Sequence, residues 1–443
     1  MASAAEQLAA NLNFGSFAKA TELKKRIWFT LGALIVYRLG TYVPLPGIDA
    51  EAFGQLFQQQ AGGILGMFNM FAGGAVERMS IFALNIMPYI SASIIIQLMT
   101  AVSPTLETLK KEGESGRKKL NQYTRYLTVA LAVVQSYGLA VALEGAGGAV
   151  IDPGLFFRVS TVITMVGGTM FLMWLGEQIT SRGVGNGISL IIFAGIVAAL
   201  PGAIAQLLDL GRTGAISTIF IIFLLMMAVG VVAFIVFMER AQRRLLVQYP
   251  KRQVGNKMTG GESSHLPLKL NTSGVIPPIF ASSLLLLPAT FTGFSGGQGP
   301  DWLGTVTAYL AHGAPLYMIL YAALIIFFCF FYTAIVFNPV ETADNLKKYG
   351  GFIPGIRPGK NTADYLDFVL TRLTVAGAAY LTLVCLLPEF LIANYSVPFY
   401  FGGTSLLIVV TVTMDTVAQI HSHLLAHQYE GLIKKAKLRG RRG

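Results

Sequence analysis

The residues of this chain whose types and spacing could do chemistry are five histidines, two cysteines and three glycine-rich runs. His265 and His312 fall in separate connections, while His421, His423 and His427 follow the last long apolar stretch. None forms HExxH, the pattern that sets two zinc-binding imidazoles on one helix face beside a basic glutamate. Cys329 and Cys385 lie inside apolar runs, without metal-ligand spacing, and are too few for a secreted disulfide framework. Gly113-Glu114-Ser115-Gly116 matches a GxSG nucleophile pattern, yet it sits among Lys110, Lys111, Arg117, Lys118 and Lys119 with no histidine at membrane depth to act as base. Gly355-Ile356-Arg357-Pro358-Gly359-Lys360 is one residue short of a phosphate loop, and Asn361 stands where Ser or Thr would bind magnesium. Gly183, Gly185 and Gly187 are a weak nucleotide match and more simply make a tight turn into an apolar helix. No catalytic residue, metal or cofactor is expected.

The elements that position these residues are membrane spans. Of 443 residues 54% are apolar and only 12% charged, about half the charge of a soluble domain, and the mean hydropathy is +0.61. Ten stretches reach the roughly 20 apolar residues needed to cross hydrocarbon: 27–43, 79–101, 124–143, 157–176, 186–203, 215–237, 274–291, 314–337, 370–388 and 400–420. They are helices, because lipid offers no partner to an open backbone. Of the 33 Lys and Arg, 29 fall on the side that holds the N-terminus; the other side has Arg78, Arg158 and Arg212, and Arg38 lies within the first span. That asymmetry sets both termini in the cytoplasm and accounts for the basic excess without nucleic acid. The first 26 residues are polar and alanine-rich, so no cleavable signal peptide is expected.

The expected organisation is a cytoplasmic segment 1–26, a five-helix half 27–203, a second half 204–420 with long basic cytoplasmic loops at 239–272 and 338–371, and a basic tail 421–443. An odd number of spans per half inverts the second relative to the first. Residues 61–74, AGGILGMFNMFAGG, are apolar, bracketed by glycine pairs and too short to span. They read as an interfacial helix or as a mobile element tucked between the helices. Only Arg38 and Asp415 lie clearly within spans, each near one end, which suits structural pairing or snorkelling. A secondary transporter of a small solute is the alternative reading, poorly supplied with midplane chemistry. The spans hold isoleucine and small residues instead: Ile86 and Ile90 share a helix face, as do Ile188 and Ile192. On composition alone such pairs face lipid or core.

Six blocks go further: GGAVERMSIFALNIMPYISASIIIQLM (73–99), KKEGESGRKKLNQYTRY (110–126), TMFLMWLGEQITSRGVGNGISLIIFAGIV (169–197), HLPLKLNTSGVIPPIFASS (265–283), FFCFFYTAIVFNPVETADNLKKYGGFIPGIRPG (327–359) and VPFYFGGTSLLIVV (397–410). In order and in register over about residues 20–433, they resemble the bacterial SecY family, the channel subunit of the Sec protein translocon. The resemblance implies an all-α membrane protein with ten transmembrane helices in two inverted five-helix halves around a central pore, closed by a short re-entrant plug helix at about 61–78. It further implies a protein-conducting channel that passes unfolded secretory polypeptides across the bacterial inner membrane and releases membrane helices sideways into lipid. By motif, the pore ring would be Ile86, Ile90, Ile188, Ile192, Ile279 and Ile408, and the plug would carry Ile64, Met67, Phe68, Phe71 and Arg78. Ser91, Gln97 and Ser283 would line the lateral gate, with Pro277, Pro278 and Pro288 permitting helix seven to bend. Arg243, Arg244, Lys251, Arg252 and Arg357 would dock the SecA motor ATPase or the ribosome, basic clusters neutralising RNA phosphates without reading sequence. SecE and SecG subunits and signal-sequence-bearing polypeptides are the remaining partners implied.

Overall fold

In the computed structural model the described residues are 21–60, 69, 72–145, 148–214, 216–250, 252–254, 257–259, 263–294, 305, 309, 314–395 and 403–439. The helices are α1 (Thr21–Gly40), α2 (Ala50–Gln60), α3 (Met87–Val102), α4 (Pro104–Lys111), α5 (Glu114–Gly145), α6 (Leu155–Arg182), α7 (Gly187–Arg212) and α8 (Thr218–Arg240), followed by α9 (Ile276–Phe294), α10 (Pro315–Val336), α11 (Pro339–Lys348), α12 (Lys360–Tyr395) and α13 (Gly403–Arg439). Each of the ten expected spans falls on one of them. Among the described residues seven helices are long and apolar enough to cross a membrane, and the pair α3–α4, bent by 100°, is an eighth candidate. Several run past their hydropathy limits, α12 from 360 and α13 to 439, because a helix continues into water where its apolar stretch ends.

The chain forms two compact units, residues 1–199 with 412–443, and residues 200–411. In the first, α3, α5 and α6 pack together and α1 lies on α6. The second span starts later than the sequence suggests. Residues 75–86 form successive turns instead of helix, with Met79 and Asn85 at positive φ (44° and 49°), at a cost of about 1–2 kcal/mol each for an L-residue. Pro88 then opens α3 in the first turn, where its missing N–H costs no bond. The strained turns are held by packing. Leu45 N–H donates to the Met79 carbonyl (2.9 Å) and Ile81 N–H to the Val43 carbonyl (3.0 Å). The Phe82 ring stacks between Tyr37 and Phe171, with centroids 6.2 and 5.9 Å away. Glycine makes this approach possible: a Cβ on Gly40 would enter the Phe82 ring, and one on Gly168 would strike the Ile81 carbonyl. Below them, Leu45, Phe53, Phe57, Met79, Leu143 and Phe157 share an apolar core.

In the second unit α10 packs against α9 and α12, and Phe280 meets Phe328 edge-on at 5.7 Å. Pro277 and Pro278 lie in the first turn of α9, where they replace donors that have no acceptor in any helix. They therefore start the helix and do not interrupt its ladder. The connection 239–272 is not loose chain. Strands β1 (Gln242–Gln248) and β4 (Ser263–Lys269) pair antiparallel, Gln242 opposite Lys269 through Gln248 opposite Ser263, and β2 (Arg252–Val254) pairs with β3 (Lys257–Thr259). Leu245 and Val247 point inward from β1 while its other five residues are exposed. They join Leu268, Ala343, Ile353, Leu366 and Val369 in one core, and Gln248 and Phe352 exchange both backbone hydrogen bonds (2.9 and 3.0 Å). The two long loops are thus one folded body on the end of α12. Leu366→Ala, at a fully buried position, is expected to cost about 2–5 kcal/mol, read as faster proteolysis within 242–269 while the spanning helices stay protected.

Candidate functional site

The best-defined polar structure in the first unit is the glycine-rich turn between α6 and α7. Gly183 N–H donates to the Ile179 carbonyl (2.8 Å), Val184 N–H to Thr30 Oγ1 (3.1 Å), and Gly185 N–H to Gln419 Oε1 (2.9 Å). Gly187 N–H donates to Thr180 Oγ1 (2.9 Å), and Ile188 N–H to Asn186 Oδ1 (3.1 Å). Side chains from α1, α6 and α13 therefore accept the donors that a turn outside any ladder leaves open. Val184 packs with Leu23 and Leu424. Gly185 needs its positive φ of 90°, and a Cβ on Gly187 would strike the Gly176 backbone. The turn is structural, as its glycine spacing suggests, and it fixes where α7 begins.

The isoleucines lie as two pairs and two single positions. Ile86 is the residue before α3, and its carbonyl accepts from Ile90 N–H at 3.0 Å; the two are 1% and 7% exposed. Ile188 and Ile192 sit one turn apart at the start of α7. Ile192 is buried, whereas Ile188 is half-buried with Cγ1 3.1 Å from where a Cβ on Gly176 would stand. In the second unit Ile279 is half-buried in the first turn of α9 and Ile408 is buried in α13.

Of the gate positions, Ser91 is buried on α3. Gln97 donates to Ser93 Oγ at 3.4 Å, but its buried Oε1 has no hydrogen-bond partner among the described residues, and neither has Ser283 Oγ on α9. An unmatched buried polar atom costs about 1–3 kcal/mol. Ile64, Met67, Phe68 and Phe71 lie outside the described residues. Arg78 is described: its Nε donates to the Gly74 carbonyl (3.2 Å) and its Nη2 to the Gly73 carbonyl (3.4 Å). Arg243 and Arg244 stand exposed on β1, opposite Leu268 and Pro267. Arg357 is exposed in a loop bracketed by Gly355 and Gly359 at positive φ (83° and 108°); its carbonyl accepts from Thr362 Oγ1 (3.0 Å) and its neighbour Ile356 packs on the loop core. Lys251 and the Arg252 side chain lie outside the described residues.

Sequence reading missed the network at the base of the hairpin. Asn271 Nδ2 donates to Glu239 Oε1 (2.7 Å) and to the Gly274 carbonyl (3.1 Å), and Tyr380 O–H donates to the same Glu239 oxygen (3.4 Å). It also missed Thr180, which caps Gly187 seven residues on, and Thr30 and Gln419, because a single side chain bonding backbone more than a hundred residues away leaves no local pattern. Among the described residues no three His, Cys, Asp or Glu side chains are grouped to hold a metal.

Apolar helices with isoleucine at their buried turns, joined by folded basic loops, define a polytopic α-helical membrane protein. The sequence model for SecY matches residues 80–417, so the chain belongs to the SecY family. It is 58% identical over 423 residues to the protein translocase subunit SecY of Escherichia coli K12, covering 95% of this chain and 96% of that one. Its fold is similar to "The structure of a protein conducting channel" (TM-score 0.65, 19% identity, 90% and 92% of the two chains). It is also similar to "Sec61 in the Canine ribosome-channel complex from the endoplasmic reticulum" (TM-score 0.62, 18% identity, 90% and 92%). The protein is a protein-conducting translocation channel, and neither family nor fold favours a small-solute transporter. Gly187→Ala is expected to lower stability by about 1–3 kcal/mol through overpacking. Gly202→Ala on the same helix meets open space and should gain up to about 1 kcal/mol; melting of the detergent-solubilised variants checks both.

Proposed function

We propose that Ile86, Ile90, Ile188, Ile192, Ile279 and Ile408 form a deformable aliphatic gasket through which an unfolded polypeptide passes. The observation that carries this reading is the burial of isoleucine at helix turns of a translocase-family chain, with no fixed polar ligand among these six positions. An apolar constriction dewets and blocks ions, and side chains that make no hydrogen bonds yield to any sequence. The 64–78 segment is the plug, with Ile64, Met67, Phe68 and Phe71 as its apolar contacts. Ser91, Gln97 and Ser283 line a lateral exit for signal sequences and membrane helices; the unmatched Gln97 and Ser283 oxygens support it, since opening such a seam sacrifices few bonds.

The folded loop body is the docking surface for the SecA motor ATPase and for the ribosome, with Arg243, Arg244, Lys251, Arg252 and Arg357 as its contacts. The canine Sec61 likeness in a ribosome-channel complex and the exposed Arg243 and Arg244 on the paired strand β1 support this. SecE and SecG accompany the chain in the bacterial inner membrane, with both termini cytoplasmic, as the Lys and Arg distribution argues. The channel itself carries out no chemistry; its partners supply the energy.

The test places a photo-crosslinking residue at Ile192 and, as control, at Ile163, which is exposed on α6. A secretory precursor is then stalled midway. Crosslinks at Ile192 and none at Ile163 are expected; a verifiably stalled precursor that touches no ring position would show that the chain passes elsewhere. Ile192→Asn is expected to raise resting ion conductance while translocation continues, and an unchanged seal with abolished flux would sink the gasket.

A further inference from the structure

Arg38 has no part in the ring, plug or gate as assigned above, yet it makes one of the shortest charged contacts in the first unit. Its Nη1 donates to the Gly73 carbonyl at 2.8 Å. Arg78 Nη2 reaches the same carbonyl and Arg78 Nε the next one. The two guanidiniums stand 5.5 and 4.1 Å from the Tyr42 ring centroid, and among the described residues neither forms a salt bridge. Two like charges held on one carbonyl repel each other, so this geometry persists only because the carbonyls and the ring face together outweigh that repulsion.

The glycines make the contact possible and also limit it. Gly73 and Gly74 are both at positive φ (64° and 81°). A Cβ on Gly73 would press on Gly195 Cα and on Arg38 Nη1, and one on Gly74 would strike the Arg78 guanidinium. Gly74 N–H donates to the Asn69 carbonyl (2.9 Å), and Asn69 Oδ1 accepts from Glu77 N–H (2.9 Å). The glycine pair is therefore not a free hinge here. It is seated on Gly195 of α7, one turn beyond Ile192, and both of its carbonyls are bound by arginine.

We infer that Arg38 is a positioning residue that latches the Gly73–Gly74 turn against α7 and so holds the resting channel sealed. The inference rests on the plug assignment for 64–78, because the latch closes the end of that segment. Hydrogen bonds from a charged donor to a carbonyl are directional and lost over about an ångström, so the latch is firm when seated and contributes nothing once displaced. It sets a threshold without slowing passage afterwards.

The test uses the full chain with its partner subunits in proteoliposomes, measuring resting ion leak and melting temperature for Arg38→Gln, Arg38→Lys, a deletion of residues 64–71, and the deletion combined with Arg38→Gln. The expectation is a resting leak about tenfold above wild type for Arg38→Gln, the factor given by about 1.4 kcal/mol. Melting should be unchanged, Arg38→Lys intermediate, and the combined variant no leakier than the deletion alone. A leaky deletion with a sealed Arg38→Gln overturns the latch and leaves the plug standing; a sealed deletion overturns the plug and the latch with it. Leaks that add in the combined variant place Arg38 outside the plug's action and also overturn the latch. Should Arg38→Gln fail to assemble, Arg38→Lys decides: a leak above wild type supports the latch and a wild-type seal refutes it.

Discussion

An amide or carbonyl left unpaired in hydrocarbon costs several kcal/mol, and the regularities of this molecule follow from avoiding that cost. Inside the helices even the hydroxyls are used locally. Thr124, Thr128, Ser136, Thr164, Thr374 and Thr416 each donate to the carbonyl four residues earlier. A hydroxyl engaged this way has no proton left to donate to a passing ligand, which suits a conduit that must not prefer one polypeptide over another. Where the chain leaves the helical ladder, as in the turn before α7, side chains from three helices supply the missing acceptors. That supply ties the start of α7, and with it Ile188 and Ile192, to α1 and α13.

The exceptions to this accounting are informative. Gln97 Oε1 and Ser283 Oγ are buried and unmatched among the described residues, as are Thr161 and Thr169 on α6. The first two stand where the lateral exit is assigned. The α6 pair has no place in that assignment, so an unmatched hydroxyl does not by itself mark a gate. What distinguishes Gln97 is its length: a side chain able to reach a partner spends its amide nitrogen on Ser93 and leaves its oxygen idle.

Much of the architecture was legible in the sequence because hydrophobicity and charge are additive, local signals. Ten apolar stretches gave ten helices, and 183–187 announced a turn through its glycines. The failures are equally physical. Residues 79–86 are as apolar as the helix that follows, and only tertiary packing of Phe82 between Tyr37 and Phe171 draws them into strained turns. The hairpin of 242–269 was hidden because its alternation is short, Leu245 and Val247 inward with an exposed Leu246 between them, and because its core partners come from 343–369. Of the candidate site, the isoleucines are singled out by family blocks and not by chemistry: an aliphatic pair on a membrane helix looks the same whether it faces lipid, core or pore. Arg38 was visible as an intramembrane charge, but its acceptor, a backbone carbonyl thirty-five residues away, leaves no trace in residue type.

Side-chain hydrogen bonds in this chain are distributed unevenly, in a way that suits the gasket proposed above. Charged or fully matched hydrogen bonds hold the Gly73–Gly74 turn, the start of α7 and the base of the hairpin at Glu239 and Asn271. Each of these adjoins an element expected to bear load: the plug, the ring helix and the docking surface. The isoleucines have only dispersion contacts, about 0.1–0.2 kcal/mol per atom pair, which shift gradually as a side chain moves. A hydrogen bond to a carbonyl instead fails over a fraction of that movement. A seal made of the second kind alone would be brittle and selective, and one made of the first alone would have no threshold. On the assignments proposed above, directional bonds at the anchors and yielding contacts at the constriction would let the same chain resist ions at rest and accommodate an arbitrary polypeptide once the anchors release.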